Sequence, residues 1–281
     1  MTCPVKKRHR GVAQMGEDAG PILQARLPDG QAERAAARLP SMQPVQGPWL
    51  RMDDAYGAQM AERRRLLAKR RGEVYAQLTP GLPAARAFLE EALTALPDGF
   101  EASADHLRCP DGARVAIDWD APLLTAGHVL QQDVCILEKQ GDEHVLTGAV
   151  LCFPASWTLS QKIGKPLVRI HKPVADYDAG IAARVQRLFD GVKQGQPMWR
   201  ANHLRYFDPT LFQPRAEDDQ RPVGHPSAPF IRSERQTVLR LGVQDAVAFV
   251  IHTFVVDVSS EHSDQDQAAH DTDGRSGFDR T

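Results

Sequence analysis

Hydrophobic side chains along this chain change period from helical to strand-like and back, and each change marks a boundary. Across residues 53–78 (DDAYGAQMAERRRLLAKRRGEVYAQL), Tyr56, Met60, Leu67, Val74 and Leu78 fall within about 40° of one another at 100° per residue, which predicts an amphipathic helix. Asp53 or Asp54 is placed to cap it, and Gly72 is its weak point. The opposite face, with Arg63, Arg64, Arg65, Lys69, Arg70 and Arg71, reads either as solvated or as a docking surface for an acidic partner. Thr79-Pro80-Gly81 turns the chain into a second helix over 83–96, carrying Phe88, Ala92 and Leu96 on one side, and Pro97-Asp98-Gly99 ends it. Strand signals follow at 114–119 and at 133–139 and 144–153, the last two joined by a hairpin at 140–143. Residues 154–177 read as loop. A helix is predicted over 178–193 from Ile181, Val185, Leu188, Phe189 and Val192. The five prolines of 204–230 predict loop, and strands at 236–241 and 246–258 close the pattern. Helices and strands without strict alternation indicate an α+β fold, an antiparallel sheet with flanking helices.

Composition sets the limits of that fold. Of 10 Phe, 4 Trp and 4 Tyr, all but Phe278 lie between Trp49 and Phe254. The ends lack large apolar side chains, so residues 1–44 and the acidic 259–281 are expected to be disordered, leaving one domain at 45–258. A net charge of −2 argues against nucleic acid as a partner. No run approaches the roughly 20 apolar residues of a membrane span, so no membrane is expected. The start MTCPVKKRHRG has no apolar stretch behind its basic residues, and four cysteines are too few for a disulfide framework; a cytoplasmic protein with reduced thiols is expected. If Lys139 pairs with His144, Cys135 faces Gly148 rather than Cys152. The cysteines also lack C-x₄-C-x₂-C spacing, so an iron–sulfur cluster of this chain's own is not expected.

Several common chemistries lack their motifs. No G-x-G-x-x-G follows a strand, Gly164-Lys165 is followed by proline, and neither H-E-x-x-H nor G-x-S-x-G occurs. His128, His144, Cys135 and Cys152 have none of the short spacings of a zinc site. The informative stretch is residues 151–174, LCFPASWTLSQKIGKPLVRIHKPV. It is apolar, aromatic and stiffened by proline, yet keeps one imidazole, His171, in a non-repetitive region. Two readings stand: an axial ligand on the wall of an apolar pocket, or a loop histidine bonded to a carbonyl.

The run L-C-F-P-x-x-W-x-L-x-x-K-x-G-x-P-L-x-x-I-H-x-P-V resembles the signature of the heme-dependent oxidative N-demethylase alpha-subunit-like family. Trp49-Leu50 through Leu66-Leu67, Gln131-Gln132-Asp133-Val134-Cys135 and Phe230 to Thr237 (FIRSERQT) resemble three further blocks of it. The resemblance implies a PAS-like fold holding heme b, with His171 as the metal ligand and His203 and Met198 as competitors. It implies O₂-dependent N-demethylation of a small secondary amine to formaldehyde, with electrons from a flavin/iron–sulfur reductase on a separate protein or subunit. Glu234 is the candidate partner for a protonated amine, with Arg232 beside it in the catalytic block; the plainer alternative is a salt bridge from Glu234 to Arg232 or Arg235. Arg200 and Arg235 are the candidate heme-propionate ligands, and Trp157 and Trp199 are expected in the core. The family's R-x-N-W is here Arg200-Ala201-Asn202-His203, a departure that puts an imidazole in place of an aromatic. A PAS-type module that binds heme or a small ligand without catalysis is the competing reading.

Overall fold

The structure, a computed structural model, describes residues 20–37, 42–171, 179–219, 224–243 and 245–260. In chain order the elements are α1 (Gln31–Ala36), β1 (Gln43–Pro44), α2 (Tyr56–Lys69), α3 (Arg71–Val74), β2 (Tyr75–Gln77), a 3₁₀ turn (Thr79–Gly81) and α4 (Leu82–Thr94). Then come β3 (Glu101–Ala102), β4 (His106–Arg108), β5 (Arg114–Ala116), α5 (Pro122–Val129), β6 (Asp133–Gln140) and β7 (Glu143–Val150). A 3₁₀ turn (Leu159–Gln161), α6 (Leu167–His171), α7 (Ala179–Gly191), β8 (Met198–Tyr206), β9 (Phe230–Arg240) and β10 (Ala246–Asp257) complete the fold.

Seven strands form one antiparallel sheet in the order β1-β8-β9-β10-β6-β7-β2, and β3-β4-β5 form a small separate one. The α+β architecture is as the pattern predicts. Because side chains alternate across a strand, directly opposed residues share a face. One face of the large sheet carries Val134, Ile136, Val150, Leu239, Ala246, Ala248 and Val250 against α2, α4 and α5. The other carries Cys135, Leu137, Ala149, Val238, Val247 and Ile251 against α6, α7 and the segment leading into α6.

Several expectations are corrected. The helix over 53–78 stops at Lys69, and after one turn the chain becomes an edge strand, Tyr75 pairing with Val150 and Gln77 with Gly148. Sheet pairing overrides the helical period there, and Leu78, counted in the stripe, is exposed. Arg63 is not on the basic outer face; it is fully buried in the core stripe and paired to Asp133 at 2.5 Å. Asp53 and Asp54 do not cap the helix, being bonded instead to Ala55 and to Ala25 in the N-terminal segment. Helix α5 gives no stripe because six of its eight residues, Pro122 to Val129, are buried. Strand β8 runs on through residues 204–206 into the stretch expected to be loop, and β9 begins at Phe230 rather than at 236. Lys139 does pair with His144, but the register shifts between Ile136 and Leu137, so that Cys135 faces Ala149. Thr147 is the extra residue, and its hydroxyl is hydrogen-bonded to Glu138.

Part of residues 1–44, the stretch expected to be disordered, is placed on the sheet. Residues 20–37 and 42–44 are ordered against the sheet. Strand β6 ends opposite Ile251, leaving the edge of β10 open beyond it, and Gln24 fills that edge. Its amide donates to Val255 O at 2.9 Å, its Oε1 accepts from Val255 N at 2.8 Å, and its Nε2 reaches Thr253 O. Gln31 donates to Ser233 Oγ at 2.9 Å, and Leu27 packs with Ile231, Phe254 and Val256. A segment poor in aromatics is anchored here by buried amides, which composition does not register. Residues 1–19, 38–41 and 261–281 lie outside the described residues.

Candidate functional site

The segment that follows β7 is fixed at its start by a buried carboxylate. Asp133 accepts Cys152 N at 2.7 Å and Phe153 N at 2.8 Å while paired to Arg63, whose guanidinium lies 5.3 Å from the Phe153 ring. Ser156 then adopts a left-handed conformation (φ 65°), and its hydroxyl is buried without a partner. Trp157, Leu159, Ile163, Leu167 and Ile170 pack into the apolar cluster on the sheet. The chain turns at Gly164 (φ 72°) and enters α6, which ends at His171.

Lys162 ties this segment together. Its buried ammonium donates to Ile170 O at 2.7 Å, the carbonyl just before His171, and to Glu217 Oε1 at 2.8 Å. Arg169 adds a bidentate pair to Glu217 at 2.9 and 3.0 Å. Hydrogen bonds from Arg169 and then Lys162 pull the Glu217 carboxyl down to about 2. His171 Nδ1 lies 2.9 Å from Leu167 O. A carbonyl only accepts, so the proton sits on Nδ1 and the lone pair on Nε2. Burial holds the His171 pKa below the ordinary histidine value, with Lys162 acting in the same direction and the Leu167 bond against it. The ring is therefore neutral near pH 7, the state a metal-ligating imidazole requires. Of the two readings of this histidine from sequence, the structure shows the bond to a carbonyl.

The sheet face on the same side presents three cross-strand rows: Arg200, Gln236 and Ile251; Asn202, Glu234 and Thr253; Leu204, Arg232 and Val255. Glu234 is only 7 % exposed. Its Oε2 accepts Asn202 Nδ2 at 3.1 Å and Gln236 Nε2 at 2.9 Å, and Arg200 Nη1 donates to Gln236 Oε1 at 2.9 Å. Among the described residues Glu234 makes no salt bridge and its Oε1 has no hydrogen-bond donor. Arg232 turns away to bond Phe153 O at 2.7 Å and Leu211 O at 3.0 Å, so the internal salt bridge weighed for Glu234 does not form. Arg200 Nε, Arg232 Nε and Thr253 Oγ1 are buried on this face without partners, and burial pulls the Arg200 pKa down while Glu234 opposes it. Three buried polar atoms without partners on one face make it the candidate ligand-binding face.

The structure separates some residues that the sequence grouped. Arg235 points to the opposite face from Arg200 and Glu234, stacked 3.6 Å over Trp199. His203 is on that other face too and exposed, whereas Met198 shares the face of Arg200. Trp199 is buried as expected, and Trp157 packs against the core half-buried. Asn202, Gln236 and Thr253 were not singled out from sequence. The first two stand in the quoted motif blocks, so their signal was present; Thr253, in an otherwise apolar strand, looked like ordinary strand composition. Among the described residues no group of three His, Cys, Asp or Glu side chains is arranged to hold a metal.

One face of the antiparallel sheet thus carries a polar network on β8–β10 beside an apolar cluster, with the half-buried His171 imidazole on a segment packed against that cluster. The chain belongs to the haem-dependent oxidative N-demethylase, alpha subunit-like family, whose model matches residues 41–271. Among curated proteins no sequence matches it significantly. No helix among the described residues is long and apolar enough to cross a membrane.

Proposed function

We propose that this protein is a heme-binding oxidative N-demethylase subunit acting on a small secondary amine. The observation that carries this reading is Glu234, a carboxylate more than nine-tenths buried, held by two amides, without an ion pair, and with one oxygen left over. Such a group is incomplete without a cation, and a protonated amine supplies one. The fold is read as PAS-like, with the ligand held between the sheet and the helices on the Glu234 side.

His171 would hold the heme iron, and Arg200, whose Nε has no partner, would hold a propionate. The heme is of the b type, since the chain has no C-x-x-C-H for covalent attachment. When bound, heme supplies the redox chemistry by which one atom of O₂ enters an N-methyl C–H bond and the other leaves as water. Two electrons and two protons are consumed, the electrons coming from a flavin/iron–sulfur reductase subunit. The carbinolamine product collapses to the smaller amine and formaldehyde. Glu234 Oε1 accepts the ammonium N–H and thereby fixes where the methyl points. Asn202 and Gln236 keep that carboxylate from swinging, Arg232 braces the wall through Phe153 O and Leu211 O, and the apolar cluster excludes water.

The test is spectroscopic, then catalytic. Protein supplied with hemin should develop a Soret band that His171→Ala loses, and with a reductase it should release formaldehyde from dimethylamine. A protein that takes up no heme overturns the reading; heme uptake without turnover on several secondary amines replaces it with the PAS-type binding module.

A further inference from the structure

The sheet face opposite Glu234 carries a second set of cations without counter-ions. Arg235 is 5 % exposed, and its guanidinium lies 3.6 Å over the Trp199 ring. Its Nε is buried with no partner, and no described carboxylate forms an ion pair with it. Arg51 Nε is likewise buried and unpartnered. The two arginines are joined by one path of contacts: His252 is the cross-strand neighbour of Arg235, Gln132 lies 2.7 Å from His252 Nδ1, and Gln132 also donates to Arg51 O at 2.5 Å. With both amide hydrogens of Gln132 used, its Oε1 is a third buried atom without a partner.

The carboxylate of this region is committed elsewhere. Asp53 accepts from His252 Nε2 at 2.8 Å, Gln131 at 2.6 Å, Gln24 at 3.0 Å and Ala55 N at 2.9 Å, which fills its lone pairs. Burial, and then the charge of Arg51, pull the Arg235 pKa down to about 10, as expected where like charges are buried together without an anion. A lone buried charge is strongly unfavourable, and an oxyanion bridging two guanidiniums relieves it.

We propose that Arg51 and Arg235, with Trp199 as a platform, form a binding site for a small oxyanion, a carboxylate or a phosphate, on the sheet face opposite Glu234. This site does not depend on the heme reading. An oxyanion that keeps a hydroxyl, such as hydrogen phosphate, accepts from arginines and donates to an amide oxygen, matching the two kinds of unpartnered atom found here.

Thermal unfolding of the full chain at fixed ionic strength, with chloride, acetate or inorganic phosphate, tests the proposal, and calorimetric titration with phosphate measures affinity. Phosphate and acetate should stabilise saturably beyond chloride, and Arg235→Gln should weaken phosphate at least tenfold. Arg51→Gln, at a half-buried position that tolerates change better, should do the same and serves if Arg235→Gln does not fold. Equal phosphate shifts in wild type and variants, or no effect beyond chloride, overturn the site. A second arm repeats the titration after hemin loading: unchanged phosphate binding supports a separate site, whereas its loss means that a heme propionate is the oxyanion and overturns the separation.

Discussion

Glu234 is restrained by neutral amides, so its charge is not consumed inside the protein. Replacing it by glutamine keeps the size and leaves an oxygen for Asn202 and Gln236, but removes the attraction for a cation. A charge-assisted hydrogen bond contributes about 1.5–3 kcal/mol, roughly ten- to a hundredfold in affinity. Glu234→Gln should therefore raise the KM for dimethylamine by about that factor while leaving heme uptake unchanged; an unaltered KM in steady-state formaldehyde assays removes Glu234 from substrate binding. At this scale the sequence was informative where a residue sits in a motif, as Glu234, Arg200 and His171 do. It was silent on direction, because the one-residue step from Glu234 to Arg235 sends two neighbouring charges to opposite faces. Thr253 was invisible for another reason: β-branched threonine is ordinary in a strand, and only its buried hydroxyl distinguishes it.

The element on which the site depends most is α6, a five-residue helix too short to hold itself. Its position comes from Lys162, which fastens Ile170 O from within the segment, and from Glu217, which reaches across from the loop after β8. On the proposed function, Lys162 is a positioning residue for His171. Lys162→Met should lower heme affinity and shift the Soret maximum or broaden the band, without abolishing binding as His171→Ala does. A variant that only destabilises the fold would bind heme normally at low temperature, and that outcome rejects the positioning role. The pH course follows from the carboxylate. The Glu217 pKa lies near 2, below its ordinary value of 4.5, so the clamp contributes fully above pH 4.5 and is lost as pH falls toward 2. Element by element, α2, α4 and α7 were legible because each has a polar side to set off its apolar stripe. Helix α5 has none, and Gly127 within it sits so close to the sheet that an added Cβ would come 2.6 Å from Val150. The basic side of α2 is also less available than its sequence implies, since Arg64 pairs with Asp111, Arg65 with Glu62 and Arg70 with Glu73.

Across the whole molecule, composition located the folded core but misplaced its edge. Aromatic density begins at Trp49, whereas the open edge of β10 is already covered by Gln24. The reason is geometric: β10 is twelve residues long, β6 covers only its first half, and the uncovered part must find donors and acceptors elsewhere. Gln24 supplies them, Gln59 adds a bond to Thr253 O at 3.1 Å, and Leu27 covers the apolar residues below. This edge is one residue from the site, because Thr253, whose carbonyl receives Gln24 and Gln59, stands directly opposite Glu234. A chain starting at Met42 leaves the carbonyl and amide of Val255 and the hydroxyl of Ser233 without these partners and uncovers Leu27's neighbours. Those groups then face water, so the loss is that of three net hydrogen bonds at about 0.5–1.5 kcal/mol each, roughly 1.5–4.5 kcal/mol. Denaturant unfolding of that truncated chain should show a lower midpoint by this margin, together with a weaker amine affinity through Thr253 and Glu234. An unchanged midpoint would mean that residues 20–37 merely rest on the sheet, and that the domain ends where its aromatics do.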